Sequence, residues 1–502
     1  MRIWTAGRIR LSGWKWKTTL RHALREIIAC FPVYRSYIAE TGVSEADRKY
    51  VETALRRAAA RNPIYGRSLF QFVRSMLLLE YPAHANAVAQ AEQRRFVGKF
   101  QQVTAPVMAK GVEDTAFYVY NRLLSLNEVG GEPARFGAGP AAVHRGIQSR
   151  HERWPWSLSP LSTHDTKRSE DVRARLNVLS EIPARWRASV ERWHALNAAH
   201  KVQVEDEPAP DTNEEYLLYQ TLIGAWPLEP YTAQDYAAFV ERIQQYINKV
   251  LHEAKVHSSW LNPNEPYDQA VREFVARILD QDVSKAFLDD MRPFRQEMSR
   301  VGLLYSLGQT LLRLTLPGVA DTYQGTELWD FSLVDPDNRR PVDYEVRQRM
   351  LVDLKRQAAE ADGSSLIRSL LRTIEDGRLK LFLTWQGLTC RRDHPGLFSI
   401  GEYQSVDLAG PAAEHAFAFL RRHGGMEALV VVPRLLMRLL PSGFALPLPP
   451  HLWSNTRLIL RGASRKFRDV FTGLSIGVES DGLDLAAALR VLPIALLLSE
   501  PA

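Results

Sequence analysis

Apolar residues recur at spacings of three and four through most of the chain, and the texture turns to short β-rich runs between Gly, Pro and Asp turns from about residue 375. That change of period predicts a helical amino-terminal part and a β-rich carboxyl-terminal part. Residues 18–60 read as helix: Tyr50, Val51, Ala54, Leu55 and Ala58 form one stripe, Ser44 and Asp47 have capping-box spacing, and Asn62-Pro63 stops it. A second helical pattern covers 67–104, from Leu69, Phe70, Phe72, Val73 and Met76 onward, and a third covers 183–204. The acidic, Pro-containing stretch EDEPAPDTNEE at 205–215 reads as a linker. Thr232 and Asp235 open the strongest helical pattern, which continues through Tyr236, Phe239, Val240, Ile243, Ile247, Val250 and Leu251. Further helices are predicted over 267–280 and before 311. The late runs LKLFLTW, ALVVVP, TRLILR, DVFTG and LRVLPIALLL predict an antiparallel β-sandwich, closing on a terminus that reads as complete.

Two stretches interrupt the helical texture with a short apolar run and a polar tip. The first, SPLSTHDTKRSEDVRAR at 159–175, passes from Leu158 and Leu161 to Thr163-His164-Asp165 and into a helix start. Ser169 is its predicted N-cap, and Glu170 and Asp171 suit the positive end of the helix dipole. The second, at 310–327, runs through a helix end to the tip Asp321-Thr322-Tyr323-Gln324-Gly325. Strand, polar tip and helix are the βα unit of an α/β barrel, where chemistry is kept on such tips, though a capped surface loop has the same pattern. The loop at 330–344 alternates acids with Arg339 and Arg340; it lacks the central Gly and final Glu of a calcium hand, so arginine neutralisation is expected. Lys110, Glu113 and Asp114 beside Phe117, Tyr118 and Tyr120 suit either a helix start with acids near its N-terminus or a sugar-contacting loop. Trp154 and Trp156 suit core packing or stacking on a sugar face.

Composition narrows the class. The 502 residues suffice for several domains, expected at 1–155, 156–365 and 366–502, and a hydrophobic fraction of 45% suits sizeable cores. The net charge of +7 comes from scattered arginines interleaved with acids, not from a basic block, so no nucleic-acid partner is expected. The two cysteines, Cys30 and Cys390, exclude a disulfide framework or thiolate metal cluster and suit a reducing cytoplasm. No signal-type apolar segment opens the chain, and Arg434, Arg438 and Arg490 interrupt its longest apolar runs, so no membrane partner is expected.

Four motifs in order carry a resemblance: CFPVYRSYI, AKGVEDTAFY, LSTHDTKRSEDVRAR and LPGVADTYQGTELWDFSLVDPDNRRPVDY. From about residue 22 onward the chain resembles the maltooligosyltrehalose synthases of the α-amylase superfamily. The resemblance implies an α/β fold: the carboxyl-terminal part of a (β/α)8 barrel with large helical insertions, then an antiparallel β-sandwich domain. It implies a maltooligosaccharide substrate whose reducing-end α-1,4 link is isomerised to an α,α-1,1 link, with no cofactor and no metal. Asp165 matches the family's carboxylate that stabilises the transition state, and His164 matches the adjacent donor to the same sugar. Lys167, Arg168 and Asp171 would line the pocket or form a salt-bridged first turn; Lys110, Glu113, Asp114, Tyr323 and Gln324 would lie at its rim.

The resemblance also implies two carboxylates about 5 Å apart, a nucleophile and an acid/base, on strand tips that precede the His-Asp motif. The first carboxylate here is Glu26, inside a helical pattern, so both groups and the first barrel strands are expected to be absent. That leaves three readings: an enzyme segment completed by a separate chain, an inactive α-glucan-binding or interaction protein, or a non-functional fragment.

Overall fold

A computed structural model describes residues 13–441, 443–462, 466–480 and 482–500. The chain divides between Tyr118 and Val119 into two compact units. The first holds four helices, α1 (Gly13–Ala29), α2 (Glu45–Arg61), α3 (Arg67–Leu77) and α4 (Ala87–Val112). Their stripes converge on a core of Ala23, Ile27, Val51, Ala54, Leu55, Leu69, Val73 and Val97. The Ser44 hydroxyl accepts the Asp47 N–H at 3.1 Å, so the predicted N-terminus of α2 forms as read. The two long helical patterns are each broken in two. Between α1 and α2 the CFPVYRSYI segment is pinned by buried Gln101, which accepts from the Ser36 hydroxyl at 3.1 Å and the Ile38 N–H at 2.8 Å and donates to the Ile38 carbonyl at 3.1 Å. Pro82 sits in the break between α3 and α4.

The second unit opens with α5 (Pro140–Arg153) and the two-residue strand β1 (Leu158–Ser159), then α6 (Glu170–Leu179) and α7 (Pro183–Asn197). The 205–215 stretch is not a linker. It forms the turn and return strand of a hairpin, β2 (Val202–Val204) and β3 (Glu207–Ala209), and then the capping box of α8 (Thr212–Ala225), in which Asp211 and Glu214 satisfy each other's N–H groups at 2.7 and 3.0 Å. Next come α9 (Ala233–Ala254), α10 (Glu265–Ile278) and α11 (Lys285–Thr315). Thr232 caps α9 with Asp235, as its spacing predicts.

β4 (Val319–Ala320) pairs in parallel with β1, Leu158 against Val319 and Ser159 against Ala320. These two strands, each led by helix, form a two-stranded parallel sheet. Helix α6 is buried along most of its length between α8 and α11. A Cβ at Gly224 of α8 would stand 2.7 Å from Val172 Cγ1, and one at Gly302 of α11 would stand 2.6 Å from Arg175 Cγ. The helical insertion is therefore part of the core and not an appendage.

After β4 come α12 (Tyr344–Glu360), α13 (Gly363–Arg372) and α14 (Arg378–Asp393). Here LKLFLTW departs from its predicted strand and lies on α14. Residues 379–384 are all buried, so both phases of the alternation are satisfied equally and the apolar pattern carries no period. The antiparallel part begins only at β5 (Glu402–Val406), β6 (Leu408–Ala409), β7 (Ala416–His423), β8 (Met426–Pro433), β9 (Arg457–Ile459), β10 (Lys466–Asp469), β11 (Ser475–Gly477), β12 (Gly482–Asp484) and β13 (Ala495–Ser499). They form a six-stranded sheet ordered β11-β10-β13-β8-β7-β5 and a three-stranded sheet ordered β12-β9-β6. β7 and β8 are buried on both faces, because α11 packs on β8: Val432 Cβ lies 3.5 Å from where a Cβ of Gly308 would be.

The end of α11 determines where β4 starts. Arg421 donates to the Thr315 carbonyl at 3.0 Å, and Arg391 donates to the Leu314 and Gly318 carbonyls at 2.9 and 2.5 Å, so cations occupy the negative end of the helix. Gly318 then takes a φ of +114°, and a Cβ there would meet the Ser157 carbonyl at 2.7 Å. Gly318→Ala is expected to cost about 2 kcal/mol or more from backbone strain and lost β1–β4 pairing. A urea-unfolding midpoint equal to that of the wild type would show that the pairing does not depend on this close approach.

Candidate functional site

Two adjacent parallel strands run in the same direction, so the tip after β1 and the tip after β4 emerge side by side at one end of the pair. Trp154 and Trp156 precede β1 and so lie toward its opposite end. They are neither core nor beside the tips: 69% and 60% of their surface is exposed.

The 163–168 turn is held from two sides. The Glu128 carboxylate accepts the N–H groups of Lys167 and Arg168 at 2.7 and 3.2 Å. From the 330–340 loop, the Asn338 amide donates to the carbonyls of Thr163, His164 and Thr166 at 3.4, 3.2 and 3.3 Å. Arg339 Nε adds a bond to the His164 carbonyl at 3.3 Å. The Tyr323 hydroxyl donates to the Asn338 carbonyl at 2.9 Å, tying the β4 tip into the same arrangement, and burial pushes that phenol up from its ordinary value. His164 is exposed and Asp165 half-exposed, with Lys167 Nζ 3.8 Å from Asp165 Oδ1. The tip thus offers water an imidazole and a carboxylate on a backbone turn whose own hydrogen bonds are satisfied inward.

Beneath the tip the side chains turn into the core. Arg168 is buried and donates to the Tyr246 hydroxyl at 2.8 Å and to the carbonyls of Leu124 and Asn127 at 3.5 and 3.4 Å. Asp171, also buried, accepts the Asp330 N–H at 2.7 Å and pairs with Lys380 Nζ at 2.9 Å. Glu170 pairs with the same ammonium at 2.9 Å. One buried lysine therefore faces two buried carboxylates. Burial pushes the Asp171 carboxyl up from its ordinary range, while Lys380 and the Asp330 N–H pull it back down. Burial wins at Asp171, whereas at Lys380 the opposing charges together outweigh it and hold the ammonium above its ordinary value.

Of the residues predicted from sequence, His164, Asp165, Lys167 and Tyr323 come together at the tips, and Gln324 is exposed beside them. Arg168 and Asp171 join the inward network, because both are buried and bond to groups inside the core. Ser169 is the N-cap residue of α6, but its hydroxyl donates to the Asp330 carbonyl instead of capping the helix. Lys110, Glu113 and Asp114 belong to the first unit, where Lys110 bonds Asp114 at 2.5 Å and Tyr34 donates to Glu113. Glu26 lies on α1 and accepts from Asn62 at 2.8 Å; it is not on a strand tip. Two acids of the 330–340 loop are neutralised, Asp335 by Lys249 at 2.9 Å and Asp337 by Arg340 and Arg242 at 3.2 and 3.8 Å. Sequence reasoning missed Glu128, Asn338 and Lys380. Asn338 stood inside a motif and Glu128 between two of them, with no spacing that marks either, and Lys380 stood inside the misread strand.

Among the described residues, Asp211, Glu214 and His257 have metal-ligand spacing. Their atoms are already engaged: the acids in the α8 capping box, and His257 between Glu207 and Asp211 at 2.9 and 3.0 Å. No helix among the described residues is long and apolar enough to cross a membrane.

No protein-family model matches the chain. It is 37% identical over 396 residues to proteins from two strains of Mycobacterium tuberculosis named maltooligosyl trehalose synthase, covering 78% of this chain and 44% of theirs. The solved maltooligosyltrehalose synthase from Arthrobacter ramosus superposes with a TM-score of 0.75 and 32% identity, over 96% of this chain and 54% of that one. A hypothetical maltooligosyl trehalose synthase from Sulfolobus tokodaii gives 0.68 and 26%, over 97% and 55%. The chain is thus homologous to maltooligosyl trehalose synthases through most of its own length, and spans about half of theirs.

Lys380→Met would leave Glu170 and Asp171 buried without their cation, at an expected cost of about 3–5 kcal/mol. Two carboxyls so stranded titrate above their unfolded values, so their protonation stabilises the folded state at low pH, and that stabilisation is lost as pH rises. The deficit of the variant should therefore shrink between pH 7 and pH 5 in denaturant titrations. A constant deficit would mean that Lys380 contributes through packing alone.

Proposed function

We propose that this homologue of the maltooligosyl trehalose synthases is the substrate-holding, transition-state-stabilising segment of such an enzyme, acting on a maltooligosaccharide in trehalose formation. One observation carries the reading: a half-exposed Asp165 next to an exposed His164, on a braced turn at the same end of a parallel strand pair as the Tyr323-Gln324 tip. Asp165 would accept from hydroxyls of the sugar at the bond being exchanged, and so favour the flattened, charge-bearing ring of the transition state. His164 would donate to the same ring, with Lys167 Nζ 3.8 Å from the Asp165 carboxylate. Tyr323 and Gln324 would meet the sugar from the β4 side.

Isomerisation differs from hydrolysis only in what intercepts the glycosyl intermediate, so the site must keep water out while the released glucose turns. The helical insertion around α8–α10 is the proposed wall, with the chain read as helical segment to about 155, barrel units to about 365 and β-domain beyond. The nucleophile and the acid/base would come from barrel strands outside these 502 residues. Two widely separated, buried free thiols suit a cytoplasmic setting.

The test uses maltopentaose and tracks reducing ends and free glucose together. The chain alone should bind maltopentaose calorimetrically and leave its reducing ends intact. Mixed with the amino-terminal half of the Arthrobacter ramosus relative, it should remove reducing ends without releasing glucose, and Asp165→Asn should abolish that loss. A folded chain that binds no glucan would sink the proposal. Reducing-end loss by the chain alone would instead show that carboxylates within it complete the site, and overturn the need for a partner.

A further inference from the structure

The turn that carries His164 and Asp165 has its backbone polarity sorted: carbonyls of residues 163, 164 and 166 gather on one side and N–H groups of 167 and 168 on the other. Glu128 answers the N–H side. The carbonyl side is answered chiefly by one side-chain amide, that of Asn338, which is only 8% exposed. Three carbonyl oxygens converging on one buried point admit only a donor there. An aspartate of the same size would oppose them with like charge, and a leucine would remove the donor that the three share.

We infer that Asn338 is the positioning residue of the candidate site: its amide sets the orientation of the His164-Asp165 turn. The inference rests on the functional reading above for what the turn does, but not for the clamp itself. Its anchoring supports the assignment. The Asn338 carbonyl is held by Tyr323 at 2.9 Å, and its neighbours are fixed by Asp337, which accepts the Leu333 N–H at 2.7 Å, and by Arg339 on the His164 carbonyl. Tyr323 belongs to the β4 tip, so a shift of either tip is transmitted to the other through Asn338. The chemical consequence is directional. A carboxylate that favours a transition state must be aimed before the charge develops, and a misplacement of about 1 Å costs up to a hundredfold in rate. Asn338 itself has no need to touch sugar.

The experiment compares the full-length chain with Asn338→Asp, Asn338→Leu and Asn338→Gln, the last of which keeps the donor on a longer arm. Hydrogen exchange of the peptide covering 161–168 and the calorimetric affinity for maltopentaose are read together, with the thermal midpoint as control. Asn338→Asp should speed exchange in that peptide while the β7–β8 peptides stay protected, and should weaken maltopentaose about tenfold or more. Asn338→Leu should do the same to a smaller degree, and Asn338→Gln should recover part of both signals. Unchanged exchange at 161–168 in Asn338→Asp overturns the assignment, as does faster exchange spread over the whole second unit, which would make Asn338 a general structural residue. If the wild type binds no maltopentaose while Asn338→Asp still loosens 161–168 alone, the clamp stands and the glucan reading falls.

Discussion

The pairing of one buried lysine with two buried carboxylates is the constraint on which the second unit is arranged. Lys380 on α14 reaches Glu170 and Asp171 in the first turn of α6, and Asp171 also holds the Asp330 N–H. A charge taken out of water returns its desolvation cost only where partners are close and the remaining hydrogen bonds are filled, so this contact tolerates little displacement. It ties three segments far apart in sequence: the helix start behind the His164-Asp165 turn, the loop after β4, and the helix that leads into the antiparallel sheets. The turn is therefore supported from below by charge before any hydrogen bond reaches it from the sides.

Above that base, each tip is positioned by groups that do not belong to it. The α11 terminus is held by Arg391 and Arg421, and its exit through Gly318 determines where β4 meets β1. Glu128 and Asn338 then take the N–H and carbonyl groups of the 163–168 turn. The His164 imidazole is left exposed and the Asp165 carboxylate half-exposed. Rigid support inward with polar groups outward is the arrangement that preorganised stabilisation of a developing charge requires.

Local chemistry was the most legible layer. Ser44 with Asp47 and Thr232 with Asp235 are capping pairs in the structure, because a cap is satisfied within four residues and needs nothing from elsewhere. The βα character of 156–175 and 310–327 was legible for the same reason, and the four motifs pointed to the same relatives as the comparisons. Ser169 marks the limit: it occupies the expected N-cap position, yet its hydroxyl is taken by the Asp330 carbonyl, a competitor that local spacing cannot reveal. The 205–215 stretch is a second limit, since its acids read as solvated linker but serve a hairpin and a capping box.

The sequence by itself determined the helical and antiparallel regions, the two polar tips and the kinship. Each of these comes from residue type at short range, where period, caps and turn residues act. Only the tertiary structure decided that LKLFLTW is helix, that Arg168 and Asp171 face the core and not the tip, and that Glu128, Asn338 and Lys380 hold the site. Those outcomes depend on burial from every side and on partners far off in the chain; Lys380 and Asp171 are 209 positions apart. Burial on all faces erases the period that a sequence displays, and the value of a charge is decided by what desolvates it and what stands opposite, neither of which is written near it in the chain.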